Sequence, residues 1–440
     1  MASPDTINSA SFDDLVRVFA RIGCLSFGGP AGQIALMHHE IVEKRRWITE
    51  QQYLHALNFC HLLPGPEAQQ LATWIGWRLH GTRGGLAAGL LFIIPGVIIM
   101  AALSMLYGVA ANLTWFTALF LGIKAAVLAI VAQALLRIAA RALTTVFKRA
   151  VAACAFIALS AFALPFPIVV LGAGVIGAGV ASMRPQWLGL SAEPEPATPL
   201  PPAPWARTAK VIAGWLLIWA SPMVVIAATL GRDHVLWDIG AFFSQLAVVT
   251  FGGAYAVLAY MAQEAVQGFG WLQPGEMADG LGLAETTPGP LILVTQFVGY
   301  LAAFRNPAPF TPAIAGLIGA AVTVWVTFAP CFLWIFTFAP WIDRLERARA
   351  IKGGLATLTA AVVGVIANLA LWFGLHVLFA DVAVMNLGPA QLQSPVWTSV
   401  DWRAAVLAVL AALLLFRFRL NIFATLGLCA VLGFGLSQIG

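Results

Sequence analysis

Charge is what this chain has least of. Only 10% of its 440 residues are Asp, Glu, Lys or Arg, against 60% hydrophobic, and so few polar side chains cannot cover a water-soluble globule of this length. The five cysteines, Cys24, Cys60, Cys154, Cys331 and Cys429, stand singly in apolar stretches, which argues against a disulfide framework or a clustered metal site and reads them as small core residues. No basic segment precedes an apolar one near the start, where Asp5, Asp13 and Asp14 fall instead. A removable signal peptide is therefore not expected, and the first residues should stay cytoplasmic. A Walker loop is missing, which argues against ATP hydrolysis by this chain. The net charge of +5 is spread over loops, so it speaks to orientation in a membrane and sets nucleic acid aside as a partner.

What is present in quantity is uncharged apolar sequence. Leu86 to Tyr107, Thr311 to Pro340 and Leu355 to Ala380 carry no charge, and each is long enough as a helix to cross a hydrocarbon core of about 30 Å. These runs are continuous, whereas strands of a membrane barrel alternate, and the 41 glycines spread through the chain suit helices better than lipid-facing strands. The expected fold is an all-α polytopic membrane protein.

An internal repeat organises it. Phe27-Gly28-Gly29 recurs as Phe251-Gly252-Gly253 at an offset of 224, which also pairs Glu40 with Glu264, Trp47 with Trp271 and Pro64-Gly65-Pro66 with Pro288-Gly289-Pro290. Beyond an insertion near residues 305–312 the offset becomes 235, pairing Pro95 with Pro330 and Ala125-Ala126-Val127 with Ala360-Ala361-Val362. The domains expected are a first repeat over 1–183, a cytoplasmic linker over 184–208 with seven prolines between Pro185 and Pro204, a connecting transmembrane helix over 209–235, and a second repeat over 236–440.

One unmatched span between the repeats would invert the second. Basic residues agree: Lys44, Arg45, Arg46, Arg78, Arg83, Arg137, Arg141, Lys148 and Arg149 flank a charge-free loop at 108–114 in the first repeat. In the second, Arg344, Arg347, Arg349 and Lys352 occupy the loop equivalent to the charge-free one, and 380–402 holds no basic residue. Because Lys and Arg collect on the cytoplasmic side, the repeats are expected to be antiparallel, with the C-terminus periplasmic. Such inverted repeats recur in secondary transporters, which bind substrate near mid-membrane between them.

The Phe-Gly-Gly and Pro-Gly-Pro motifs interrupt apolar segments and predict broken or re-entrant helices. A helix starting after each would aim free N–H groups and the positive end of its dipole inward, an environment suited to a tetrahedral dianion. The candidate anion site is Gly28, Gly29, Pro64, Gly65, Pro66, Gln69, Gln70, Gly252, Gly253, Thr287, Pro288, Gly289, Pro290 and Thr295. Close helix packing and simple kinks are the competing reading for the glycines and prolines, and interhelical hydrogen bonding for the polar side chains.

Glu67 and Glu285 beside the two triplets are candidates for a coupling proton, or simply helix caps. Lys124 lies within the apolar stretch Trp115 to Gln133, where a lysine needs a carboxylate, a substrate or water. Lys44, Arg45 and Arg46 beside Trp47 read as an orientation signal with an interfacial aromatic anchor, or as a cytoplasmic vestibule that collects anions. His38, His39, His55 and His61 match no metal-ligand spacing, so neither a metal nor a cofactor is expected.

Phe27-Gly28-Gly29-Pro30, Leu63-Pro64-Gly65-Pro66 followed by Gln69, Phe251-Gly252-Gly253, and Thr287-Pro288-Gly289-Pro290 followed by Gly299-Tyr300 resemble the two-domain chromate ion transporter family. The resemblance covers all but the N-terminal tail and the proline-rich linker. It implies export of chromate across the bacterial inner membrane, driven by the proton motive force and conferring chromate resistance, with sulfate as a related oxyanion. Membrane lipid is the surrounding partner, and a homodimer is left open. Ala254 stands where the first repeat has Pro30, and Leu291 where it has Glu67, so the two repeats cannot contribute identically. Other readings are a sulfate or other anion uptake carrier, a passive anion channel and, more distantly, a membrane enzyme such as a chromate reductase.

Overall fold

The computed structural model of the chain describes residues 9–27, 29–111, 113–190, 205–251, 254–273 and 275–437. The first repeat folds as α1 (Phe12–Leu25), α2 (Gly29–His38), α3 (Glu50–His61), α4 (Glu67–Ala110), α5 (Thr114–Ala142), α6 (Val146–Ser160) and α7 (Phe166–Met183). The connecting helix is α8 (Trp205–Thr229). The second repeat follows as α9 (Val235–Val249), α10 (Ala254–Gln263), α11 (Glu276–Thr286), α12 (Val294–Arg305), α13 (Pro312–Phe338), α14 (Ile342–Arg347), α15 (Arg349–Leu378), α16 (Trp402–Ala412) and α17 (Ile422–Ser437). Among the described residues six helical stretches are long and apolar enough to cross a membrane: α4, α5, α7, α8, α13 with its short extension to Trp341, and α15.

The all-helical expectation gives way at one place. Residues 380–402, expected as a loop, contain an antiparallel hairpin of β1 (Val382–Leu387) and β2 (Ala390–Pro395), in register from Val382 opposite Pro395 to Leu387 opposite Ala390. Gly388 at φ 63° makes the turn. The ribbon pairs a mostly apolar β1 with a β2 that carries Gln391, Gln393 and Ser394.

Two compact units emerge, each drawing on both repeats. One holds residues 1–105, 196–254 and 283–347, and the other 106–195, 255–282 and 348–440. In the first unit α4 is two helices, broken at His80 (φ −135°) and Gly81 (φ 61°). The limbs fold back on each other because Gly76 and Gly84 let their backbones touch, and Gly89 lies against the Thr73 hydroxyl. Limb 67–79 is therefore about 20 Å long, too short to span, while limb 82–110 can. α12 and α13 repeat the device, with the Gly319 backbone against that of Gly299 and Gly316 under the Tyr300 ring. α8 is stapled to α13 by two indoles, Trp219 Nε1 donating to Val326 O at 3.0 Å and Trp325 Nε1 to Ile218 O at 3.0 Å. The rest of α8 presents exposed Leu217, Val224 and Val225, a surface for lipid.

The second unit packs α6 and α7 on α15, and α15, α16 and α17 on α5, again through small residues. Gly177 meets Thr357, Gly364 meets the backbone of α6, and Gly122 meets the carbonyl of Cys429. A cavity of about 380 Å³ in this unit is lined by Gln263, Gln267, Asn368, Trp372, Gln391 and Gln393, among others. Of the cysteines read as core residues, Cys60, Cys331 and Cys429 are buried but Cys24 and Cys154 are exposed, as a thiol facing lipid can be without penalty.

Candidate substrate site

Described helical residues follow each of the four motifs. α2 begins at Gly29 (φ 71°), α10 at Ala254 and α4 at Glu67 directly after Pro66, while the second Pro-Gly-Pro leads through a 3₁₀ turn at Leu291–Leu293 into α12. The expected site residues Gly28, Gly252 and Gly253 lie outside the described residues.

Within the first unit, the motifs of one repeat are bonded to those of the other. The Gly65 amide donates to Thr250 O at 2.7 Å, and the Gly289 amide donates to Ser26 O at 2.9 Å and to Ser26 Oγ at 3.0 Å. Gly65 and Gly289 are equivalent at the offset of 224, and so are Ser26 and Thr250, each one residue before a Phe-Gly-Gly. Both glycines have positive φ, 119° and 96°, where a side chain is strained. The Gly65 position is also crowded: a Cβ there would lie 2.9 Å from Gln70 Nε2 and 3.0 Å from Cys331 Sγ.

Carboxamides satisfy the carbonyls that the breaks release. Gln70 Nε2 donates to Pro64 O at 2.6 Å, Gln33 Nε2 to Gly289 O at 2.6 Å and Ser26 O at 3.2 Å, and Gln296 Nε2 to Val97 O at 2.9 Å. Gln69 Nε2 donates to Thr73 Oγ1 at 3.1 Å. All four glutamines are buried, and their Oε1 atoms, which can only accept, have no hydrogen-bond partner, an arrangement that costs about 1–3 kcal/mol per atom unless a donor such as water answers it. Gln69 and Gln70 each keep a second amide hydrogen beyond these bonds. They bring neutral amide donors beside the break.

The threonines are less available. Thr287 Oγ1 donates to Ala284 O at 3.1 Å and Thr295 Oγ1 to Ile292 O at 2.7 Å, so both hydroxyl hydrogens go to their own backbone. Pro64, Pro288 and Pro290 are buried beside the glycines. Glu67 carries an ion pair with His61, Nδ1 to Oε1 at 2.9 Å. Glu285 is buried at 4% exposure.

The basic cluster is partly spoken for. Glu40, at 5% exposure, pairs with Arg45 Nη1 and, at 3.4 Å, with Lys44 Nζ, while Arg46 is exposed. Burial works against the charge of Glu40, but the Arg45 and Lys44 cations more than offset it and hold its pKa below the ordinary carboxylate value. Trp47, expected as an interfacial anchor, is instead buried at 5% exposure under the Arg45 guanidinium, as Trp271 is buried at 4% in the second repeat. Both follow a π-helical turn, where the backbone folds back through Trp47 N to Ile41 O and, in the second repeat, Leu272 N to Ala265 O, each at 3.0 Å.

In the second unit Lys124 has found a carboxylate. Its Nζ lies 3.3 Å from Oδ2 of Asp279. Among the described residues no group of three or more His, Cys, Asp or Glu side chains comes together.

Sequence reasoning missed Ser26, Thr250, Gln33 and Asp279. The first two were detectable, since they align at the repeat offset and differ only by a methyl group. Gln33 aligns with Val257 and gave no signal.

A family model described as chromate transporter matches residues 14–178 and again 237–434. The chain belongs to the chromate transporter family. A chromate transport protein of Cupriavidus metallidurans is 29% identical over 419 residues, covering 95% of this chain and 91% of its own. A chromate transport protein of Pseudomonas aeruginosa is 31% identical over 361 residues, 81% of this chain and 79% of its own. A probable chromate transport protein of Synechococcus elongatus is 28% identical over 364 residues, 81% and 83%. No solved structure matches. Family and helices together make this member a multi-pass membrane protein of a transporter family.

Proposed function

We propose that this chain is a secondary transporter that exports chromate from the bacterial cytoplasm across the inner membrane, using the proton motive force and so conferring chromate resistance. The observation that carries the reading is the reciprocal bonding of Gly65 to Thr250 and Gly289 to Ser26. Two breaks that interlock through pseudo-equivalent atoms form one symmetric feature, as expected where an inverted repeat builds its substrate site. Buried donors without fixed charge suit a tetrahedral dianion that must leave as readily as it enters.

In this reading residues 1–183 and 236–440 are antiparallel repeats joined by the 184–208 linker and the 209–235 span, with the N-terminus cytoplasmic and the C-terminus periplasmic. Substrate meets Gly28, Gly29, Pro64, Gly65, Pro66, Gln69, Gln70 and their counterparts Gly252, Gly253, Pro288, Gly289 and Pro290, with Thr287 and Thr295 holding the local backbone. Glu67 and Glu285 bear on coupling. Sulfate, a tetrahedral dianion of similar size, competes for the same donors.

Expression in a chromate-sensitive bacterium tests the direction. Export predicts that loaded cells lose chromate faster and grow at higher chromate. Faster chromate entry, or rescued growth on limiting sulfate without resistance, would replace export by uptake.

A further inference from the structure

Asp279, Lys124 and Tyr107 form a charged cluster within the second unit, with Asp279 and Tyr107 buried and Lys124 partly exposed. Asp279 is 2% exposed. Its Oδ2 accepts from Tyr107 OH at 2.6 Å and faces Lys124 Nζ at 3.3 Å, while its Oδ1 is buried with no hydrogen-bond partner. Lys124 stands ten residues into α5, about 15 Å from its start, too deep to be an end residue reaching for water. Gly275 makes room for it, since a Cβ there would lie 2.7 Å from Nζ. Phe116 and Phe120 pack edge-on to the Tyr107 ring and shield the cluster.

The repeat makes this cluster one-sided. Lys124 aligns with Thr359, and Asp279 with His55, so the ion pair has no copy in the opposite orientation. The cluster is thus a feature of one repeat orientation alone, where a single coupling group can sit.

We propose that Asp279 is a further proton-binding carboxylate of the transport cycle, besides Glu67 and Glu285, and Lys124 its alternating counter-charge. The proposal rests on the proton-driven reading above. A proton from the aqueous phase binds Oδ1, the acceptor without a partner. Asp279 becomes neutral, and the partly exposed Lys124 is left without its counter-charge, a state that favours an anion nearby. Loss of the proton restores the pair. The charged and titratable groups bearing on Asp279 are Lys124 from α5, Tyr107 from the end of α4 and Glu276 from its own helix.

Two measurements test it. Infrared difference spectra of the purified protein, titrated across pH, are expected to contain the carbonyl band of a protonated carboxyl group that Asp279→Asn lacks; a band unchanged in the variant overturns the proposal. In everted vesicles Asp279→Asn, which keeps an acceptor for Tyr107, is expected to move chromate at a rate that no longer responds to pH. Gradient-driven accumulation should fall at least tenfold and lose its pH dependence. If that variant fails to fold, Lys124→Gln with Asp279→Asn removes both charges and should show the same uncoupling. Full gradient-driven accumulation by either variant overturns the proposal. A wild type indifferent to a proton gradient would sink the proton-driven reading itself, and the infrared titration then decides alone whether Asp279 binds a proton.

Discussion

The backbone amide of Gly65 is held by the carbonyl of Thr250 at 2.7 Å, and 224 residues on the amide of Gly289 is held by the carbonyl of Ser26 at 2.9 Å. Each repeat thus closes the break of the other. The two bonds have equivalent donors and equivalent acceptors, so they constrain both breaks to one shared geometry.

Gly65→Val and Gly289→Val each put a branched side chain at a φ that only glycine adopts freely, at a local cost of about 1–3 kcal/mol. Membrane insertion, decided by long apolar spans elsewhere, should survive. Transport should be abolished, as measured by vesicle flux against protein yield in the membrane. Normal flux in both variants would remove the motifs from the substrate path.

Gln33→Ala deprives Ser26 O and Gly289 O of a shared donor. Leaving buried carbonyls under-bonded costs about 1–3 kcal/mol, so thermal unfolding in detergent should begin several degrees earlier, with flux reduced more strongly than yield. Gln33→Glu, which offers acceptors where donors are needed, should be worse than alanine.

Glu40→Gln tests the basic cluster. The folded-state pKa of Glu40 is lowered, so its contribution to stability is present above the ordinary carboxylate pKa and disappears as pH falls through the depressed value. The wild type should therefore lose stability at the acid end of a pH series. The variant should be less stable at neutral pH by about 1 kcal/mol and show a flatter acid limb.

Much of the fold was legible because membrane sequence is blunt: uncharged runs, basic loops and a repeat with a single insertion are visible without contacts. The breaks at Pro64-Gly65-Pro66 and Pro288-Gly289-Pro290 were legible for the same reason, since their residues forbid a continuous helix. Partner choice was not. Nothing in the surroundings of Lys124 selects Asp279 over Glu276 or Glu285, because a pairing 155 residues distant is set by how helices pack. Trp47 misled because a tryptophan beside arginines reads as an interfacial anchor, whereas a π turn draws it inward. The β1–β2 ribbon gave little signal, because β1 is almost uniformly apolar and the alternation in β2 lasts only from Ala390 to Gln393.

The proposed inversion predicts the turn at 80–82 on the cytoplasmic side and the turn at 306–311 on the periplasmic side. In a chain whose own five cysteines are replaced, Thr82→Cys should react with an impermeant maleimide only in everted vesicles, and Thr311→Cys only in right-side-out ones. Labelling of both from one side would refute the inversion.

Radiolabelled chromate accumulation in everted membrane vesicles, with and without an imposed proton gradient and with excess sulfate as competitor, tests the account most directly. It predicts gradient-dependent accumulation that sulfate inhibits and Gly65→Val abolishes. Chromate flux that ignores the proton gradient and merely follows membrane potential would mark a passive channel, and sulfate movement without chromate accumulation would contradict export.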